Sequence, residues 1–214
     1  MTHDEIRERN MEKVVHCALD LFYSQGIANT KISEIAKSSG LTPTSVYRYY
    51  NDKDTIVIHA AKLMAKMYSD SVIHSFYEHD FHNKTGYEQI EMILRFFIDT
   101  ARSNKRFLML VNEVFAYIQQ LEASRGLKLP KSGLDVFFQS SISIKALQKG
   151  IDDGSIRNDI DVHKTFELAT SCTLGTMLVV YGKSVSWKSD FPTYLAEGCM
   201  DLILTYLRPN QSKL

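Results

Sequence analysis

Apolar residues recur along this chain at spacings of three and four, and the alternation that marks a half-buried strand is nearly absent. The pattern predicts an all-α protein of about nine helices. The first begins at Thr2, where Glu5 completes a capping box. It carries the stripe Met11, Val14 or Val15, Ala18, Leu21 and Phe22, and stops at Gly26. Two short helices, Lys31 to Ser39 and Pro43 to Tyr50, precede a long one from Lys53 to His79. A loop from Asn83 to Gly86 leads to amphipathic helices over Tyr87–Ser103 and Lys105–Ser124. Gly126, Pro130 and Gly133 mark a break. A helix from Leu134 to Lys149 then meets a turn-rich stretch, Gly150 to Gly154. The last two helices span Val162–Tyr181 and Pro192–Leu207, and Pro209 ends the second.

A change in composition near residue 52 divides the chain. Of 23 aromatic residues only five (Phe22, Tyr23, Tyr47, Tyr49, Tyr50) precede it, so the large core lies beyond. We expect a small three-helix domain over 1–52 and a larger helical domain over 53–214, which the length of 214 residues accommodates.

The stretch from Ile32 to Tyr50 reads as a helix-turn-helix. Ile35 and Val46 face each other across the helix crossing, and Ala36 is small where the second helix passes. Gly40 supplies a turn that needs positive φ, and Leu41 plugs the underside. Thr42 caps the second helix and Pro43 opens it, where a missing N–H does no harm. The outer face of that helix holds Thr44, Ser45, Tyr47, Arg48 and Tyr49. Hydroxyls and backbone N–H groups bind phosphate, and arginine reads guanine with two hydrogen bonds. Thr30 is placed to cap a helix and offer its hydroxyl to phosphate, and Lys53 to reach the same strand. From Ala28 to Lys53 four basic residues stand against two acidic ones, thin electrostatic support for a DNA surface.

The run Phe22-x3-Gly26-x3-Thr30-x-Ile32-x2-Ile35-Ala36-x3-Gly40-Leu41-x4-Val46-Tyr47-x-Tyr49-Tyr50-x2-Lys53 resembles the N-terminal domain of the TetR family of bacterial transcriptional regulators. Tyr50 departs from it, since the family often has Phe there; its ring belongs in the core and its hydroxyl needs a partner. The turn Gly150-x3-Gly154-x-Ile156-Arg157-x-Asp159 resembles the family's link into its penultimate helix. The resemblance implies double-stranded DNA contacts by Thr30, Lys31, Thr42, Pro43, Thr44, Ser45, Tyr47, Arg48, Tyr49 and Lys53. It also implies a homodimer on a palindromic operator, a repressor released by a small molecule held in the second domain. A ligand-independent DNA-bound scaffold and an activator that recruits a protein partner remain alternatives at this point.

The later helices support dimerisation on their own account. Val162–Tyr181 is apolar almost all round in its second half, and Ala169, Ser171, Gly175 and Thr176 allow close helix approach. The last helix adds Leu195, Cys199, Leu202 and Tyr206 beside Phe191, Tyr194 and Ile203. Two such hairpins would pair as a four-helix interface. For a largely apolar effector the candidate lining is Met64, Met67, Tyr68, Phe97, Phe107, Phe115, Phe137, Phe138 and Met177, residue types that also build plain cores. Asn112 falls at the edge of its helix's apolar face, and Glu113 falls on the far side, so Glu113 is expected in solvent.

Composition narrows the classes further. Charged residues are 23% and balance to zero, which disfavours a general polyanion binder. Cys17, Cys172 and Cys199 form no close pair, so reduced thiols are expected. His74, His79 and His82 with Glu78 and Asp80 form a weak metal candidate, and solvent-facing histidines are the preferred account. No cofactor is expected. No phosphate loop or nucleophile motif appears, so an enzyme is not expected. The apolar run Leu168–Tyr181 is too short and too hydroxylated to span a membrane, and the acidic N-terminus does not read as a signal peptide, so the cytoplasm is expected.

Overall fold

The computed structural model describes residues 2–78, 80–125, 140–181 and 191–209. Among them there are nine α-helices, one 3-10 turn and no strand. The helices are α1 (His3–Gln25), α2 (Ile32–Ser39), α3 (Pro43–Tyr50), α4 (Lys53–Glu78), α5 (Gly86–Ser103), α6 (Lys105–Arg125), α7 (Ser140–Asp152), α8 (Val162–Tyr181) and α9 (Phe191–Leu207). None is long and apolar enough to cross a membrane, among the described residues. The chain divides into two compact units: Met1–Tyr68 with Met109–Leu134, and Ser69–Leu108 with Asp135–Leu214.

The first unit rests on α1. Thr2 accepts the Glu5 N–H at 3.2 Å, and the Glu5 carboxylate accepts the Thr2 N–H at 2.8 Å, closing the capping box. Val14, Val15, Ala18 and Phe22 form its buried face. Helix α1 packs on both short helices, whose Ile35, Ala36, Val46 and Tyr50 are buried, as are Ile56 and Val57 of α4.

The second unit has its own core. Ile90, Leu94 and Ile98 of α5 meet Ala146 and Leu147 of α7, Met177 and Val180 of α8, and Ala196, Met200 and Leu207 of α9. A 3-10 turn at Phe81–Asn83 precedes α5, and Phe81 stacks on Phe76 at 4.3 Å between ring centroids. Thr85 caps α5 in a second capping box with Glu88.

The stretch from Gly150 behaves differently from its expected turn. Helix α7 continues through Gly150 to Asp152, and the turn comes at Gly154, whose φ is +75°. Gly150 is buried against Gly86 at the start of α5. It serves a close approach of two helices rather than a chain reversal. The link beyond is tightly bonded. The Gly86 N–H donates to Asp153 at 2.9 Å and the Tyr87 N–H to Ser155 at 3.1 Å. Ile156 is buried and its N–H returns to the Gly150 carbonyl. The Arg157 N–H reaches the Leu207 carbonyl, while its guanidinium takes both oxygens of Asp159.

A Cβ added to Gly86 would lie 2.0 Å from the Gly150 nitrogen, a backbone atom that cannot swing aside. Gly86→Ala should therefore destabilise the chain by about 1–3 kcal/mol or more through overpacking, read by chemical denaturation. Gly175→Ala is the control. Nothing lies within 4 Å of its added Cβ, so helix propensity should make it neutral or stabilising in the monomer.

Candidate nucleic-acid interface

The surface of interest is built on one turn. Helix α1 ends at Gly26, whose φ is +87° and whose N–H returns to the Phe22 carbonyl at 3.0 Å. Gly26 and Ile27 are buried, so their polar backbone groups need partners. Three side chains supply them. The Glu113 carboxylate of α6 accepts the Ile27 N–H at 3.0 Å. The Lys53 ammonium donates to the Ile27 carbonyl at 2.6 Å. The Thr30 hydroxyl donates to the Gly26 carbonyl at 2.8 Å.

These contacts revise one expectation, that of Glu113, and show what else Thr30 and Lys53 bind. Glu113 is not in solvent: it is half-buried and closes the α1 end. Its helical wheel positioned it only against an apolar face, whereas its partner is an orphan N–H. Thr30 is 1% exposed, and the residue that starts α2 is Lys31, whose N–H is taken by Glu34 at 2.7 Å. Lys53 points into the turn, where burial lowers its pKa against the pull of Asp54 and Glu34. Thr30 thus bonds inside the head, and Lys53 gives one of its three ammonium donors to the same turn.

The helix-turn-helix itself follows its residues. Ile35, Ala36 and Val46 are fully buried at the crossing. Gly40 lies in the left-handed region at φ +68°, and the Leu41 N–H bonds the Ala36 carbonyl at 2.9 Å. Thr42 accepts the Ser45 N–H at 3.2 Å and Pro43 opens α3. Thr42, Pro43, Thr44 and Arg48 are exposed, Tyr47 is 50% exposed, and Ser45 and Tyr49 are half-buried. Lys31 is exposed at the start of α2. One face of α3 therefore presents hydroxyls, one guanidinium and a phenol while its other face is locked in the core.

The end of α3 is braced twice. The Tyr50 hydroxyl donates to the Met11 carbonyl at 2.8 Å, which supplies the partner its departure from Phe demands. Asn10 reaches the Tyr49 hydroxyl at 3.5 Å, and the Arg48 guanidinium lies 5.4 Å from the Tyr49 ring centroid. Asn10 and Arg48 hold the Tyr49 pKa below its ordinary value, and Arg7 adds to that. Sequence patterning missed this role of α1, because Arg7 and Asn10 sit on a helix read for its apolar stripe alone. Asp52 caps α4 through Thr55 at 2.8 Å. Burial alone would raise its pKa, but the bonds from Thr55 and the charge of Arg125 carry it below the usual carboxylate range. Arg125 also pairs with Asp54, which accepts the Tyr117 hydroxyl at 2.6 Å. Helix α6 thus grips the α3–α4 joint as well as the α1 end.

The candidate effector lining divides between the units. Met64 and Tyr68 are buried in the first, Phe115 is half-buried there, and Met67 is 55% exposed. Burial raises the Tyr68 pKa. In the second unit Met177 is fully buried and Phe97 packs on the same core, with Phe107 half-buried. Phe137 and Phe138 lie outside the described residues, as do the expected break at Gly126, Pro130 and Gly133 and the residue His79. No three metal-ligating side chains converge among the described residues. One face of the α8–α9 pair carries Leu168, Val179, Tyr194, Leu202 and Tyr206 at 52%, 45%, 71%, 75% and 43% exposure, a concentration of apolar surface. Cys172, Gly175 and Thr205 are exposed on the same two helices, whereas Leu195, Cys199 and Ile203 turn into their own core. The Phe191 side chain is outside the described residues.

Tyr50 links this geometry to pH. Burial first, and then the charge of Glu12, pushes its pKa to about 12. The folded state therefore holds the proton that the unfolded state loses near pH 10. Stability from this group is complete below about pH 10 and is lost as pH rises toward 12. Tyr50→Phe should flatten the fall in stability over that window in a pH series of denaturation curves. It should also cost about 0.5–1.5 kcal/mol at neutral pH for the hydrogen bond to Met11.

Known proteins place these findings. The family model described as bacterial regulatory proteins, tetR family, matches residues 14–60. No curated protein matches the chain in sequence. Among solved structures, a TetR-family transcriptional regulator of Mesorhizobium loti, itself described as putative, superposes with TM-score 0.66 at 16% identity, covering 97% of this chain and 100% of its own. The Thermus thermophilus FadR repressor in complex with lauroyl-CoA gives TM-score 0.65 at 15% identity over 95% of this chain and 98% of its own. RolR in complex with resorcinol gives 0.58 at 14% identity over 98% and 100%. At such identities the likeness is one of fold, and it runs the length of the chain. Residues 14–60 thus match the helix-turn-helix of the tetR family of bacterial regulatory proteins, and the fold of the whole chain is similar to that of solved TetR-family transcriptional regulators.

Proposed function

We propose that this regulator is a repressor that binds a palindromic operator as a homodimer and lets go when a small molecule occupies its second domain. The observation that carries the reading is the face of α3. Thr42, Thr44, Ser45, Tyr47 and Arg48 stand outward on a helix whose other side is fixed by Val46 and Tyr50 in the core. Helix α3 enters the major groove. Tyr47, the hydroxyls and Lys31 hold phosphates, while Arg48 and Thr44 read bases. Thr30 and Lys53 act from behind, by holding the Gly26–Ile27 turn that sets the angle of the head.

The exposed face of α8 and α9 supports the dimer. Leu168, Val179, Tyr194, Leu202 and Tyr206 would leave a large apolar surface in water unless a second copy covers it. One head reads too few base pairs for useful specificity, and a symmetric pair doubles them. The two solved relatives that hold lauroyl-CoA and resorcinol support a small-molecule effector with an apolar body. Such an effector releases DNA only by binding the DNA-free arrangement more tightly than the bound one.

Selection from random duplex DNA at fixed salt tests the proposal. A palindrome with two half-sites is the expected product; no enrichment by folded protein contradicts specific binding. On the selected site Arg48→Ala should cost about 1–3 kcal/mol and relax the preference at one position of each half-site. Equal weakening on all sequences would put Arg48 on phosphate instead. Leu202→Glu sets a charge on the proposed interface in each copy. It should weaken self-association by about 2 kcal/mol or more in sedimentation equilibrium while helix content stays constant. Unchanged association would move the interface elsewhere.

A further inference from the structure

Within the second unit, one buried hydroxyl finds no acceptor for its proton among the described residues. Tyr181 closes α8 and is 7% exposed, and its hydroxyl is that group. A buried unpaired polar group costs stability, so native proteins rarely keep one without a use. Two cations stand beside it. The Lys105 ammonium, at the first residue of α6, lies 6.0 Å from the Tyr181 ring centroid. Arg102, in the last turn of α5, donates toward the phenolic oxygen, and this contact is the leading cause of its raised pKa. A guanidinium only donates, so it offers the phenolic proton no acceptor. Arg102 is already held by Glu197 at 3.1 Å and Asp99 at 3.6 Å. Lys105 forms no ion pair among the described residues. The first turn of α6 adds the positive end of a 21-residue helix.

We infer that Tyr181 and Lys105, with Arg102 beside them, form a binding point for an anionic oxygen of a small molecule, a carboxylate or a phosphate. The phenol donates its proton to that oxygen and Lys105 supplies the opposite charge. Arg102, committed to Glu197 and Asp99, keeps the phenol flanked by donors, so that an incoming acceptor is the one group the cluster lacks. The inference deepens the ligand-responsive reading and rests on it for any effect at DNA. Binding is measured without DNA, so failure here and failure of the regulator reading are told apart.

The test uses the full chain and three probes of equal chain length: octanoate, octyl phosphate and the neutral octanol. The parent protein should bind at least one anion about tenfold more tightly than octanol, as expected for a hydrogen bond to a charged group. Tyr181→Phe keeps the ring and should lose about that tenfold for the anion and nothing for octanol. Without ligand it should unfold at the same temperature as the parent or higher, since it deletes an unpaired donor. Lys105→Gln should also lower the anion's affinity and leave octanol's unchanged. Tighter octanoate than octyl phosphate identifies a carboxylate, and the reverse a phosphate. No binding of either anion, octanol bound as tightly as both, or anion affinity unaltered by Tyr181→Phe overturns the inference. A lower unfolding temperature for ligand-free Tyr181→Phe also overturns it, because the hydroxyl would then serve the fold.

Discussion

Backbone groups at the end of α1 must leave water for the first unit to form. Gly26 and Ile27 turn the chain from α1 toward α2 while buried, and a buried N–H or C=O without a partner costs as much as a lost hydrogen bond. Glu113, Lys53 and Thr30 meet that demand from three separate segments. Their bonds fix where α2 starts, and α2 fixes α3 through Ile35, Ala36 and Val46. The outward face of α3 is thus a consequence of a turn twenty residues earlier. Two of the three partners, Glu113 and Lys53, are charged, and charge-assisted bonds are the stronger kind. Because Glu113 belongs to α6 and Lys53 opens α4, both long helices of the first unit hold the head directly.

The second unit solves a different problem. Its helices bury Ile90, Leu94, Met177 and Leu207 in one core, with Gly86 and Gly150 allowing two backbones to meet. Having done so, it leaves apolar side chains on the far side of α8 and α9. A chain that only needed to fold would place polar residues there, as the exposed side of α5 does with Glu91, Arg95 and Asp99. Among the described residues, the surplus apolar face and the Tyr181 hydroxyl, which lacks an acceptor, are two places where the unit is incomplete alone. In the proposed regulator a second copy covers the first, and a ligand atom meets the second.

Much of this was legible in the residues. Period and caps located the nine helices of the described residues, since Thr2 with Glu5, Gly40, Thr42 with Pro43, and Pro209 act on the chain next to them. The demand of Tyr50 for a partner was legible too, because a buried phenol usually has one. What stayed hidden depends on distant partners. Glu113 looked solvated because a helical wheel knows the apolar face and not the orphan N–H of Ile27, 86 residues away. That Lys53 and Thr30 also bond the backbone carbonyls of the Gly26–Ile27 turn could not be read from their positions. Gly150 reads as a turn because glycine breaks helices, whereas a facing helix at Gly86 makes its missing Cβ the useful feature. The effector lining was least legible, since Met and Phe at helical spacing build cores and cavities alike.

The proposed homodimer would present two identical α3 faces to one palindromic duplex. Hydroxyl-radical footprinting of the parent chain on its selected duplex tests it directly. The account predicts two protected patches on one side of the helix, one turn or a whole number of turns apart, about 34–36 Å per turn. The same footprint should carry two copies of the chain. A single protected patch, or one copy bound at full affinity, would contradict it.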